Sequence, residues 1–169
     1  ETWRPWYQDR PEIEARVITP DGSEYRLNPA DLGEYNDAED GPQVYGDEKT
    51  LKGPLPAVEV GAIVEEIHRI HDRESYFPAG VVGFFSFGAS VPVRKSHVIL
   101  DAPAAIPMKY VVHRLPGLEP ARETKAGRIR LHFETGLLEP QDEDLDYAPA
   151  DIARRPVLRF STASSWNSI

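Results

Sequence analysis

Sixteen prolines in 169 residues constrain what this chain can fold into more than any other feature. Proline lacks the backbone donor and is kept out of helix interiors and central strands. Its share is nearly twice the usual ~5%, and the residues run from Pro5 to Pro156. Only short segments fit between them. Short segments bounded by Pro and Gly turns favour an all-β fold over a helical one.

The periodicity between these breaks is that of strands. Ile13, Ala15, Val17 and Thr19 fall on one face and Glu14, Arg16 and Ile18 on the other. Pro20-Asp21-Gly22-Ser23 is a turn, proline presetting φ and glycine supplying φ > 0. Tyr25 and Leu27 return as a second strand, so residues 12–28 read as a hairpin. Residues 29–42 are acidic and turn-rich, a solvated loop, and 43–52 a short strand stopped by Gly53-Pro54-Leu55-Pro56. Residues 61–70 fit two periods. Ile63, Ile67 and Ile70 suit a helix face, whereas Ile63, Glu65, Ile67 and Arg69 alternate; with strands on both sides, strand is the assignment. Residues 81–87, 94–100, 108–114, 128–134 and 157–161 complete about nine short strands, an antiparallel β-sandwich with short helices at most over 29–32 and 148–154. One domain over 1–169 is expected, with a long surface connection over 137–150. Val81, Phe85, Phe87, Val98, Leu100, Val111, Leu131 and Phe133 are its predicted core.

Charge and composition exclude several functions. Nineteen basic against 28 acidic residues leave a formal charge of −9 with no Lys/Arg cluster, which argues against nucleic-acid binding. No apolar run approaches the ~20 residues of a membrane-spanning helix. Absence of cysteine removes disulfides, thiolate metal sites and a cysteine nucleophile together. The chain begins at a Glu without a signal peptide, the pattern expected of a mature or excised fragment.

The residue patterns that could carry chemistry are weak. Glu65, Glu66, His68, His71 and Asp72 are the candidate metal cluster, convergent only if the segment is helical. On a strand the two histidines, an odd number of residues apart, face opposite ways, so no metal is expected. Asp142, Asp144 and Asp146 match the start of a calcium loop. Tyr147 and Ala153 stand where that loop needs a glycine and a bidentate Glu. Gly83 to Gly88 has one residue too many before Ser86 for a nucleophile elbow, and adjacent Ser96 and His97 face opposite ways on a strand. Gly117 and Gly127 lack the strand–glycine–helix context of a phosphate cradle. Paired carboxylates occur in any chain with 28 acidic residues and point nowhere. Trp3, Trp6 and Tyr7 form either a sugar-stacking platform or a plug at one end of the sandwich.

Several motifs in order carry a family resemblance: Trp3-x-x-Trp6, Pro20-Asp21-Gly22, Gly53-Pro54-Leu55-Pro56, the aromatic and glycine run Tyr76 to Gly88 with Val91-Pro92-Val93-Arg94-Lys95, and the ending Phe160-Ser161-Thr162 to Ser165-Trp166. Together they resemble a bacterial domain of unknown function that usually lies just upstream of a transglutaminase-like (papain-fold) domain. The resemblance implies a β-sandwich, further strands before Glu1, and a periplasmic or secreted location. The family's Cys, His and Asp triad belongs to the neighbouring domain and maps onto no residue here. The implied role is a non-catalytic accessory domain with that neighbour as its partner in cis, or with a protein or peptide partner, and with no cofactor. Residues 160–169 are then the junction, with Phe160, Ser165 and Trp166 as candidate interface anchors. Two other readings stand beside it: a carbohydrate- or peptidoglycan-binding module on Trp3, Trp6 and Tyr7, and a metal-dependent hydrolase on Glu65, His68 and His71.

Overall fold

A computed structural model of the chain describes residues 1–36, 47–77, 80–140 and 155–163. The fold is all-β and antiparallel, as the sequence predicts, with a 3₁₀ turn at Pro29–Asp31 where a short helix is expected. The second expected helix, 148–154, lies outside the described residues. Twelve strands are present among the described residues rather than about nine, and they sort into two compact units, Glu1–Ser75 and Tyr76–Ile169.

The first unit holds β1 (Thr2–Trp3), β2 (Glu12–Ile18), β3 (Glu24–Arg26), β4 (Gly33–Asn36), β5 (Lys49–Lys52) and β6 (Ile63–Arg69). They form two three-stranded sheets, ordered β1-β5-β4 and β3-β2-β6. The β2–β3 hairpin closes through the predicted turn. Gly22 sits at φ 88°, and the Asp21 carboxylate accepts from the Thr19 hydroxyl at 2.6 Å and the Ser23 amide at 3.0 Å. The two-period segment resolves as strand β6, paired with β2 at every residue from Glu12↔Arg69 to Ile18↔Ile63. Each of its residues is exposed. Apolar alternation therefore buries β2 through Val17 but leaves β6 open at the sheet edge. Among the described residues of this unit, Trp3, Tyr7, Pro11, Val17, Leu27, Thr50 and Leu51 are buried.

The second unit holds β7 (Val82–Ser86), β8 (Ser96–Pro103), β9 (Lys109–His113), β10 (Ala121–Lys125), β11 (Arg128–Thr135) and β12 (Val157–Ser161). Sheets β10-β11-β8 and β7-β12-β9 enclose a core of Phe87, Leu100, Leu131, Phe133 and Leu158. Tyr110 on β9 meets Phe133 on β11 edge-on, ring centroids 5.1 Å apart. That arrangement is a six-stranded sandwich.

Three predicted core residues are exposed instead: Val81 at 47%, Phe85 at 40% and Val111 at 46%. Val81 precedes β7. Phe85 pairs with the fully buried Leu158, but its strand is the edge of the sheet and covers the ring on one side only. Val111 lies opposite Arg159, so it shares the outward face of β9 and β12. Phe87, Leu100, Leu131 and Phe133 are buried and Val98 is half-buried.

Candidate functional site

The candidate metal residues are dispersed by the pleat of β6. Glu65, Ile67 and Arg69 share a face with Glu12, Glu14 and Arg16 of β2, and with Glu24 and Arg26 of β3. This face is a ladder of ion pairs. Arg16 reaches Glu24 at 3.1 Å and also contacts Glu65, while Arg69 contacts Glu14 and lies 3.8 Å from Glu12. The Arg16 guanidinium holds the Glu65 carboxyl below the usual carboxylate range. Glu65 is thus an ion-pair partner, not a ligand.

Glu66 and His68 project from the opposite face. His68 Nδ1 lies 2.6 Å from Glu1 Oε2, and Nε2 lies 3.6 Å from Glu66 Oε2. Beyond β6 the chain turns back against the tryptophan lead-in, and His71 and Asp72 belong to that clasp. His71 Nδ1 lies 2.7 Å from Asp9 Oδ2, Arg73 Nη1 donates to Asp9 Oδ1 at 3.0 Å, and Gln8 Nε2 donates to Asp72 Oδ1 at 2.8 Å. Backbone bonds run alongside, from the Asp9 amide to the His71 carbonyl at 2.9 Å and from the Arg73 amide to the Tyr7 carbonyl at 2.8 Å. The hydrogen bond from His71, with that from Arg73, lowers the Asp9 pKa. Glu65, His68, His71 and Asp72 therefore hold different partners and meet at no common point. No group of three or more His, Cys, Asp or Glu among the described residues is placed to hold a metal ion.

The aromatic platform is also taken apart. Trp3 and Tyr7 are buried, at 3% and 7%, and Trp6 alone is exposed, at 55%. Trp3 enters β1, opposite Lys49, while the Tyr7 ring packs on Trp6 with centroids 4.4 Å apart and planes tilted by 58°. Sugar stacking needs open ring faces side by side, and burial removes two of the three.

Of the junction residues, Phe160 lies in β12 and packs on the core of its own unit. Ser165 and Trp166 lie outside the described residues, as do Asp142, Asp144 and Asp146. Ser86, the serine of the elbow-like run, is the last residue of β7 and pairs with Val157. A regular ladder there leaves no sharp strand-to-helix turn.

A solvent-facing cluster that sequence reading passed over sits on β8 and β11. Asp101 accepts from Arg128 Nε at 2.7 Å and from Arg130 Nε and Nη2 at 3.0 and 2.7 Å. The Arg130 and Arg128 hydrogen bonds hold its carboxyl below the usual range. The arginines were visible as an Arg-x-Arg pair, but only the β11–β8 register sets Asp101 opposite Arg130.

These features define an all-β fold in which many acidic and basic side chains pair with one another, several of them across sheet faces. The sequence pattern of the family DUF3857, described as a domain of unknown function with a solved structure, matches residues 2–141. The chain belongs to that family. Comparison with curated proteins finds no match. Among solved structures, the chain is similar to one from Parabacteroides distasonis described as a "putative protease", with a TM-score of 0.82 and 20% identity. The similarity covers 98% of this chain and 32% of that one, so the chain spans about a third of that protein's length. At this identity the likeness shows a shared fold.

Proposed function

We propose that this chain is a non-catalytic accessory domain that positions or regulates a transglutaminase-like catalytic domain of the same protein, or that binds a protein partner. The observation carrying this reading is the unequal coverage: nearly all of this chain corresponds to a third of a longer protein. The dispersal of the candidate metal residues into separate ion pairs supports it, as does the absence of cysteine from the sequence. The family motifs point to a papain-fold neighbour and to a location in the periplasm or outside the cell.

The test uses the full-length gene product. Peptide hydrolysis and acyl transfer are measured for the intact protein, for the isolated chain 1–169, and for the protein lacking it. The isolated chain is expected to be inactive, and its deletion to change kcat/KM while the remainder stays folded. Activity in the isolated chain overturns the proposal, and unchanged kinetics on deletion overturns the positioning or regulating role.

A further inference from the structure

His97 and His132 stand side by side on the outward face of sheet β10-β11-β8. The register sets Glu134 opposite His97 and Ile99 opposite His132, so the two imidazoles are diagonal neighbours across the β8–β11 pair. Residues of the other parity, Leu100, Leu131 and Phe133, are buried beneath. His97 is exposed and His132 half-buried. His97 Nε2 and His132 Nδ1 share a hydrogen bond at 3.4 Å, one nitrogen donating and the other accepting according to the tautomer, with ring centroids 5.5 Å apart and planes 33° from parallel. A metal ion bound by both nitrogens takes the place of that shared proton.

That separation is the bite of a tetrahedral metal ion. Two nitrogens bound at about 2.0–2.1 Å with a tetrahedral angle between them stand about 3.4 Å apart. The backbone beneath is well fixed, because β11 is the central strand and pairs with β8 at eight successive positions. Ala121, the residue opposite His132 on β10, adds only a methyl group beside the ring. Asp101, on the same face, is held by Arg128 and Arg130, and Glu134 lies 2.9 Å from Lys95. The nearby carboxylates thus have cationic partners of their own, which leaves the two imidazoles as the paired nitrogen donors.

We propose that His97 and His132 chelate one divalent ion of the imidazole-preferring first-row class, zinc or copper, with water completing its coordination. Imidazole donors select these ions over magnesium and calcium, which prefer oxygen; the tetrahedral spacing favours zinc, whereas copper(II), although it binds a given nitrogen site more tightly, prefers a square-planar arrangement. The site has two protein ligands, in keeping with the absence of any larger cluster among the described residues. It stands apart from the accessory-domain reading, which neither requires nor excludes it.

Isothermal titration calorimetry on the tag-free chain 1–169, in a non-coordinating buffer at neutral pH, tests it with zinc, copper(II) and magnesium salts. The expected result is one zinc or copper ion per chain and no heat with magnesium. His97→Gln and His132→Gln should each weaken zinc binding at least about tenfold, since a chelate loses its second bond when either ring is removed, and His68→Gln should leave it unchanged. Circular dichroism of the variants confirms that these surface replacements fold. No zinc or copper binding at millimolar metal overturns the proposal, as does equal binding in both His97→Gln and His132→Gln.

Discussion

Gly83 on β7 lies directly opposite Phe160 on β12, and the Phe160 ring fills the space a side chain at 83 would need. A Cβ built there would sit 2.5 Å from Phe160 Cζ and 2.8 Å from Cε1. The ring is packed against the core of the sandwich, so it has little room to retreat. Gly83→Ala is expected to destabilise the domain by about 1–3 kcal/mol, the usual cost of overpacking. Urea denaturation measures it. In a Phe160→Ala background the same substitution should cost little, giving a coupling of at least ~0.5 kcal/mol in the double-mutant cycle. Additive effects would mean that the ring does not occupy that space.

The neighbouring phenylalanines divide by burial. Phe87 is fully buried and Phe85 is 40% exposed, and the two rings meet edge-on at 5.2 Å. Phe87→Ala is expected to cost about 3–5 kcal/mol, and Phe85→Ala clearly less. Thermal denaturation of the two variants side by side decides it. A larger loss for Phe85 would place the centre of the core on β7 rather than beyond its end.

The contrast between these rings shows how far the sequence could be read. Alternation placed β2, β8, β11 and β12 to within a few residues, because each buries one face and so carries a period of two. It could not tell edge from centre, which over-predicted burial at Phe85, nor fix strand ends and faces, which over-predicted it at Val81 before β7 and at Val111 on the outward face of β9. β10 was missed because Ala-Arg-Glu-Thr-Lys is exposed throughout and has no apolar face to report. The β10–β11 turn, with Ala126 at φ 50° and Gly127 at φ 73°, has alanine where the hairpin signal is Asn or Gly. Of the candidate site, the odd spacing of His68 and His71 already argued against a joint site. The pairing of His97 with His132 depends on β8 meeting β11 in one register, which no local pattern encodes.

The tryptophans of the lead-in should behave differently from one another. Trp3 is 3% exposed and Trp6 is 55% exposed. Trp3→Ala is expected to cost about 3–5 kcal/mol, whereas Trp6→Ala should cost a fraction of that, since half of its ring is already in water. Chemical denaturation of both variants checks the order. Equal losses would mean that Trp6 carries as much of the packing as Trp3.

Acid should loosen the β8–β11 face through Asp101. Hydrogen bonds from Arg130 and Arg128 hold its carboxyl below the ordinary value of 3.8. A carboxyl whose pKa is lower folded than unfolded binds its proton more weakly in the native state. Its contribution to stability is therefore fully present above the unfolded pKa and fades as pH falls through the folded one. Asp101→Asn keeps the shape, removes the charge, and should lower the melting temperature at neutral pH. The gap between wild type and variant should then narrow as the pH drops below the ordinary aspartate range of about 3.9, where the wild-type carboxyl also becomes neutral. Added salt should shrink the neutral-pH gap, since the cluster is solvent-facing and screened. Melting curves from neutrality down into acid, at low and high salt, measure both effects. A gap that stays constant with pH would show that Asp101 acts through shape alone, and that its two arginines contribute nothing through charge.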